Sequence, residues 1–258
     1  MTDRKAWKTG LSIGCISHQA MKDAAAAGLD LVEINAIDDS ANWEKIPQWE
    51  KETGVKVWSF HLPFSLVKRP DDPEEEWEEV FPLLRDYVVN CGAVGITHMI
   101  LHSSGESHQL EETELREVRM QRALAHITQL SDVCKANGCV LCVEVLPRFC
   151  LGNSSAEIQR IMDSNSDLRL CFDVNHLLKE DHVEFIRNVG EYAITTHISD
   201  YDFIDERHWF PLKGQIPWKN VQDELEKVGY EGPFMYEVRM EGHTWSDVVK
   251  NHEALKNL

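Results

Sequence analysis

Six short apolar runs decide the fold, and each of them ends in an ionisable side chain: WSFH (58–61), HMILH (98–102), LCVE (141–144), LRLCFD (168–173), ITTH (194–197) and FMYE (234–237). Each run is followed by a loop and then by a helical pattern. If the runs are parallel strands of one closed barrel, their carboxyl ends share one rim. The three imidazoles and three carboxylates then converge on a single pocket. Because charged groups are seldom buried without a partner or a metal, six such residues in succession predict a functional site.

The same alternation of apolar run and helical pattern continues along the whole chain and gives eight strand–helix units. Strands alternating with helices predict a parallel sheet. Eight units in 258 residues favour a single-domain (β/α)8 TIM barrel over residues 1–258 rather than an open sheet, which usually has fewer strands. The predicted strands are 10–14, 31–34, 55–61, 98–102, 140–144, 168–173, 193–199 and 234–238, and the predicted helices are 18–28, 42–53, 75–91, 113–137, one opened at Ser154 or Ser155, 181–188, 218–228 and 245–256.

Charge and cysteine content limit the partners and the compartment. Acidic residues outnumber basic ones by 44 to 26, for a net charge of −18, which opposes contact with nucleic acid and anionic membranes. The seven cysteines have no close metal-type pairing, and Cys139, Cys142 and Cys171 are typical of small core residues. With no signal core and no apolar run of transmembrane length, we expect a cytoplasmic protein without nucleic-acid or membrane partners. The acidic run 71–79 is interpreted as the solvated start of a helix.

Glu144 and Glu237 are the first candidates for catalysis, because each ends a hydrophobic run that has no structural need of a carboxylate. We expect strands five and eight to lie across the barrel from each other, so that the two acids face a small ligand from opposite sides. Proton transfer beside a carbonyl needs one group that removes a proton and another that delivers one. The structural alternative is a helix cap or an ion pair with Arg148 or Arg239.

A metal site is the second prediction. In CFDVNH, Asp173 and His176 are three residues apart after a strand, and His197 and Asp200 in THISD repeat this spacing. The alternative role for Asp173 is a helix N-cap. Three oxygen donors and one nitrogen favour Mn²⁺, Mg²⁺ or Co²⁺ over a structural zinc site. The predicted ligands of one divalent ion are Glu144, Asp173, His197 and Glu237.

Other polar side chains are candidates for substrate binding. His61 and His102 could bind substrate hydroxyls or a further metal, with a structural role as the alternative for each. Arg148 could orient a carbonyl or a carboxylate, or form an ion pair at the rim. The loop after His197 is long for its position, which is typical of a lid or a substrate contact, and it carries Glu206 and His208.

An aromatic side chain could offer an apolar face to a sugar ring. Trp58 and Trp209 are the candidates, with core packing as the alternative for each.

These motifs resemble the xylose isomerase-like barrel superfamily, in particular its sugar phosphate isomerase/epimerase group. The resemblance spans nearly the whole chain and rests on EVLPR, DVNH, HISD and MYEVR. It implies that the four predicted ligands hold one divalent metal and that His176 contacts the substrate. In the ketose 3-epimerase and hydroxypyruvate isomerase branches the two ligand glutamates, here Glu144 and Glu237, also form the acid–base pair.

The chain departs from this pattern at two places. The loop after strand seven reads PLKGQIPW, with Leu212 where the family has its first glycine. His208 stands where the epimerases tend to carry arginine, which leaves their carbonyl contact without a match.

Endonuclease IV, a three-zinc phosphodiesterase of the same superfamily, provides an alternative. Its further ligands match His61, His102, His176 and the pair Glu206 and His208, with glutamate replacing aspartate. A net charge of −18 argues against it, because an abasic-site enzyme needs basic residues along the phosphate path.

The sequence therefore predicts a sugar isomerase or epimerase that acts by proton transfer through an enediolate. The cofactor is one divalent ion, Mn²⁺, Mg²⁺ or Co²⁺ before Zn²⁺, and the partner is a small sugar. Related barrels are often homodimers or homotetramers. The alternatives are an inosose- or dehydroshikimate-type dehydratase, the zinc phosphodiesterase and a non-catalytic carbohydrate-binding barrel. No clear phosphate site is visible in the sequence. The expected substrate-binding residues are His61, His102, Arg148, His176, Glu206 and His208.

Overall fold

A closed barrel of eight parallel strands forms the centre of the molecule. The computed structural model describes residues 7–37, 40–64, 68–105 and 113–258. Each strand pairs with the next in sequence, and β8 pairs with β1 to close the barrel. The strands are β1 (Thr9–Ile16), β2 (Leu31–Ile37), β3 (Lys56–His61), β4 (His98–Leu101), β5 (Val140–Glu144), β6 (Arg169–Asp173), β7 (Ala193–Ile198) and β8 (Phe234–Tyr236).

In the described ranges, eight α-helices follow the strands, and short 3₁₀ turns are found at Ser40–Lys45, Val174–His176 and Gly190–Tyr192. Within the described part of the chain, no helix is both long and apolar enough to cross a membrane. The helices are α1 (His18–Ala27), α2 (Ile46–Thr53), α3 (Glu74–Val94), α4 (Thr113–Ala136), α5 (Ser155–Ser164), α6 (His182–Val189), α7 (Trp218–Lys227) and α8 (Trp245–Lys256).

The predicted (β/α)8 barrel is confirmed, with differences at the ends of elements. The helix predicted from residue 42 begins as a 3₁₀ turn, and α2 starts only at Ile46. Pro47 explains this start, because proline fits the first helical turn, where its missing N–H has no partner to lose. His102 and Glu237 lie one residue beyond β4 and β8, rather than inside them.

The period of two along a strand explains which side chains lie under the rim. Ile100, Cys142 and Cys171 form a small buried cluster of their own. Each precedes an ionisable strand-end residue by two positions, so it points to the same face of its strand. This cluster is the apolar floor beneath His102, Glu144 and Asp173. Cys139 is also buried, which confirms the prediction of core cysteines.

The interpretation of the acidic run 71–79 as a solvated helix start is wrong for its first residue. Helix α3 begins at Glu74, and its first turn is acidic, as expected from the helix dipole. Asp71, however, is only 3% exposed and forms an ion pair with Arg119 of α4. Its carboxylate therefore fixes the β3–α3 connection against α4.

Asp200 has a structural role, and the expectation that it repeats the Asp173–His176 arrangement is wrong. Its buried carboxylate accepts hydrogen bonds from the backbone N–H groups of Tyr201, Leu212 and Ile216 at 2.9–3.2 Å and from Trp218 Nε1 at 2.9 Å. A Cβ at Gly214 would lie 2.2 Å from Asp200 Oδ1, so only glycine allows this approach. The β7–α7 loop is thus folded around one carboxylate.

We expect Asp200→Asn to destabilise the protein by about 3 kcal/mol, because an amide NH₂ would replace an oxygen that accepts two buried N–H groups. Equilibrium urea unfolding measures the change. Glu253→Gln is the control, since Glu253 forms an exposed ion pair with Lys256 and should change stability by no more than about 0.5 kcal/mol. Equal stability of Asp200→Asn and wild type would contradict this role.

Candidate active site and metal centre

A pocket of about 440 Å³ opens at the carboxyl ends of the strands. All of the predicted site residues line it except Asp173 and His197, which are fully buried and belong to the same cluster of side chains. The predicted residues in its wall are His61, His102, Glu144, Arg148, His176, Glu206, His208 and Glu237.

Glu144, Asp173, His197 and Glu237 form the centre of the site. One potential ligand atom from each lies within 4.8 Å of the others. His197 Nδ1 is 3.0 Å from Glu144 Oε1, 3.3 Å from Glu237 Oε2 and 3.7 Å from Asp173 Oδ2. β5 and β8 are three positions apart around the barrel, so the two glutamates are not diametrically opposed as expected. They meet in one cluster instead.

Asp173 serves both of the roles considered for it. Its Oδ1 caps the 3₁₀ turn by accepting the Asn175 N–H at 2.6 Å. Its Oδ2 is buried, faces the cluster and has no hydrogen-bond donor among the described residues. Burial raises the pKa of this carboxyl. An orphaned buried oxygen among other donors is what a cation site requires.

Glu144 is surrounded by imidazoles. His61 Nε2 donates to its Oε2 at 3.1 Å, and His102 Nε2 lies 3.0 Å from the same oxygen. Burial raises the pKa of Glu144, but the charges of His197 and His102 outweigh it and hold the pKa well below its usual range. Burial also raises the pKa of Glu237, and His197 again outweighs it and holds that pKa below its usual value.

Glu33 belongs to the site and was missed from the sequence. It is fully buried on β2, accepts the Ser59 hydroxyl at 2.6 Å and lies 3.1 Å from His197 Nε2. A carboxylate that binds one ring nitrogen fixes the tautomer and directs the other nitrogen to the metal. Glu33 thus presents His197 Nδ1 to the cluster. The signal in the sequence was a charged residue inside the apolar run LVEI.

Two further groups of potential ligands adjoin the centre. His61, His102 and Glu144 form one, and it shares Glu144 with the central cluster. The second consists of His176, Glu206 and His208. His208 has a φ of +51°, and its Nδ1 lies 3.1 Å from the Glu237 carbonyl oxygen. Its Nε2 is therefore left as the ligand atom for the group that it forms with His176 and Glu206.

Arg148 forms ion pairs at the rim, which was the structural alternative for it. Its guanidinium donates to Asp205 at 2.6 Å and lies 3.1 Å from Glu206, both in the β7–α7 loop. The ion pairs connect this loop to the end of β5. Arg148 lines the pocket, but acidic neighbours already balance its charge.

Neither tryptophan provides the expected sugar face. Trp58 stacks on His98 and donates to Thr195, outside the residues that line the pocket. Trp209 lines a neighbouring groove. Phe64, which the sequence reasoning missed, lies in the pocket wall, and its ring is 4.5 Å from that of His102.

Comparison with known proteins identifies the family of this fold. The family model of the xylose isomerase-like TIM barrels matches residues 21–258. The chain belongs to this family. This barrel has the shape of a D-tagatose 3-epimerase-like protein, with a TM-score of 0.81 and 20% identity over 97% of this chain and 96% of that one.

Two curated proteins are similar to shorter parts of this chain. D-psicose 3-epimerase of Ruminiclostridium cellulolyticum is 28% identical over 137 residues, which cover 50% of this chain and 45% of the epimerase. An uncharacterized protein of Methanocaldococcus jannaschii is 24% identical over 205 residues, 76% of this chain and 68% of that protein. This xylose isomerase-like barrel is thus matched along most of its length.

We expect Glu33→Gln to weaken Mn²⁺ binding by about 10- to 100-fold, because it removes the carboxylate that orients His197. Isothermal titration of the metal-free protein with Mn²⁺ measures the affinity. Ser59→Ala is the matched control, since it removes one hydrogen bond to Glu33 and leaves the carboxylate beside His197. Unchanged Mn²⁺ affinity in Glu33→Gln would disprove the orienting role.

Proposed function

We propose that the protein is a metal-dependent sugar isomerase or epimerase that moves a proton at a carbon beside a carbonyl, through an enediolate. The observation that carries this proposal is the cluster of Glu144, Asp173, His197 and Glu237 at one end of the barrel, with donor atoms within 4.8 Å of one another. Similarity to D-psicose 3-epimerase supports the same class of reaction.

The residues present fit a divalent cation. Three carboxylates and one imidazole provide mostly oxygen donors, which suit Mn²⁺, Mg²⁺ or Co²⁺, with Zn²⁺ also accommodated. The orphaned Asp173 Oδ2 supports the same assignment. When bound, such an ion would supply Lewis-acid polarisation of a substrate carbonyl.

Glu237 is the better placed of the two proposed proton carriers. Its side chain is 31% exposed in the pocket, whereas that of Glu144 is 1% exposed. We propose that Glu237 removes the carbon-bound proton and that Glu144 donates a proton back to the substrate. His61 and His102 contact Glu144 and line the pocket, so they can exchange protons between this carboxylate and solvent.

Substrate positioning is assigned to the opposite part of the wall. His176 Nε2 lies 3.9 Å from Glu206, and the His208 ring is 6.0 Å from that of His176. Together with Arg148 they offer donors and acceptors for sugar hydroxyls. Glu206 and His208 lie in the β7–α7 loop, which the ion pair between Arg148 and Asp205 connects to the end of β5.

Glu237→Gln should lower kcat by about 10²- to 10⁴-fold while the ketose still binds, because the amide keeps the shape and cannot accept the proton. Turnover on a keto-sugar panel gives kcat, and titration of the inactive variant gives Kd. Glu241→Gln, at an exposed position four residues on, should behave as wild type. Full turnover by Glu237→Gln would rule out its role as base.

A second candidate is a three-zinc phosphodiesterase, because two additional ligand groups adjoin the first, and one of them shares Glu144 with it. Several basic side chains near the mouth are already paired: Arg148 with Asp205, Arg207 with Asp202 and Arg116 with Glu157. This pairing reduces the charge available to a DNA backbone. Metal analysis of the purified protein separates the two: one Mn, Mg or Co per chain fits the isomerase, and three Zn fit the phosphodiesterase.

A further inference from the structure

Arg69 is a pocket residue with no function in the proposed reaction. It lies between β3 and α3 and lines the wall together with His61, Phe64 and His102. Its guanidinium forms no ion pair with an acidic residue of the four described ranges, whereas Arg148, on the same pocket, is paired with two. Its charge is therefore available to a ligand.

The connection that carries Arg69 is held by buried contacts. Arg119 Nε donates to Asp71 at 2.6 Å, and His126 Nδ1 lies 2.8 Å from the Pro70 carbonyl oxygen. The Arg69 backbone N–H donates to Asp72 at 2.7 Å. Such a backbone places the side chain before a ligand arrives, which lowers the entropic cost of binding.

Gly105, after β4, provides the seat for the guanidinium. A Cβ at this position would lie 2.4 Å from Cζ and Nη1 of Arg69, so any larger residue would displace the side chain. The guanidinium thus packs directly on the backbone of residue 105. Ser104 lines the same wall and accepts the Leu151 N–H at 2.8 Å, which leaves its hydroxyl hydrogen for a ligand.

The charges of the pocket favour one orientation for an anionic ligand. Glu144, Glu206 and Glu237 lie elsewhere in the wall and repel an anion, and the one other arginine of the lining residues that the structure describes, Arg148, is already paired with Asp205 and Glu206. A planar guanidinium binds phosphate or carboxylate through two parallel hydrogen bonds.

We infer that Arg69, seated on Gly105, binds an anionic substituent of the substrate, so that the substrate class is a phosphorylated or carboxylated keto-sugar. The inference rests on the proposed function for the sugar part of the ligand. It adds the charged group, which the neutral ketoses named in the comparisons lack.

Binding of matched neutral and anionic sugars tests the inference. The probes are D-psicose, D-tagatose and D-fructose, their 6-phosphates, and D-fructuronate and D-tagaturonate, titrated calorimetrically into Mn²⁺-loaded protein. We expect a phosphate or a uronate to bind at least about 10-fold more tightly than its neutral counterpart. Arg69→Gln should remove this advantage and change the affinity for the neutral sugar by less than about 3-fold. Arg69→Lys should retain part of it.

Arg239→Gln is the matched control, since Arg239 is exposed and lines the neighbouring groove. It should leave every affinity unchanged. The inference is overturned if the wild type binds no anionic sugar more tightly than its neutral counterpart, or if Arg69→Gln weakens neutral and anionic sugars equally. If anionic sugars bind more tightly through Arg69 but no probe is turned over, the proposed function alone is overturned. If neutral sugars are turned over but anionic sugars bind no more tightly, this inference alone is overturned.

Discussion

Mutual repulsion among three buried carboxylates is the constraint on which the site depends. Glu144 and Asp173 are essentially inaccessible, Glu237 is partly so, and all three lie around His197 Nδ1. His197 supplies at most one positive charge, and the imidazoles of His61, His102 and His176 beside Glu144 and Asp173 can offset only part of the remaining negative charge. An uncompensated buried charge costs about 3–5 kcal/mol, and the divalent cation that we propose would balance these carboxylates.

The barrel withstands this repulsion because the strands fix the backbone on which the acids stand. Side chains two residues earlier form an apolar floor of Ile100, Cys142 and Cys171, so the carboxylates cannot sink into the barrel. Glu33 holds His197 from the far side. Around the mouth, the β7–α7 loop is folded on Asp200, and Arg148 connects it to the end of β5.

The strand-end residues could be predicted from the sequence because two simple rules place them. Parallel strands bring their carboxyl ends to one rim, and a polar residue that ends an apolar run must have a use there. Glu144, Asp173, His197 and Glu237 meet as these rules predict. Roles that depend on tertiary contacts could not be read in this way.

Glu33, Asp200 and Arg69 show what the sequence alone leaves out. Glu33 lies within a strand, and its use follows only from the approach of His197 across the barrel. Asp200 has the spacing of a ligand, yet three backbone N–H groups of its own loop and the indole N–H of Trp218 in α7 occupy its oxygens. Arg69 resembles any loop arginine until Gly105, 36 residues later, provides the seat for its guanidinium.

Anomalous X-ray diffraction from crystals soaked with Mn²⁺ tests the central claim most directly. The account predicts a manganese peak bonded to Glu144, Asp173, His197 and Glu237, with Asp173 contributing Oδ2 and His197 contributing Nδ1. No peak at that position under saturating Mn²⁺, with His197 still hydrogen-bonded to the carboxylates, would contradict it.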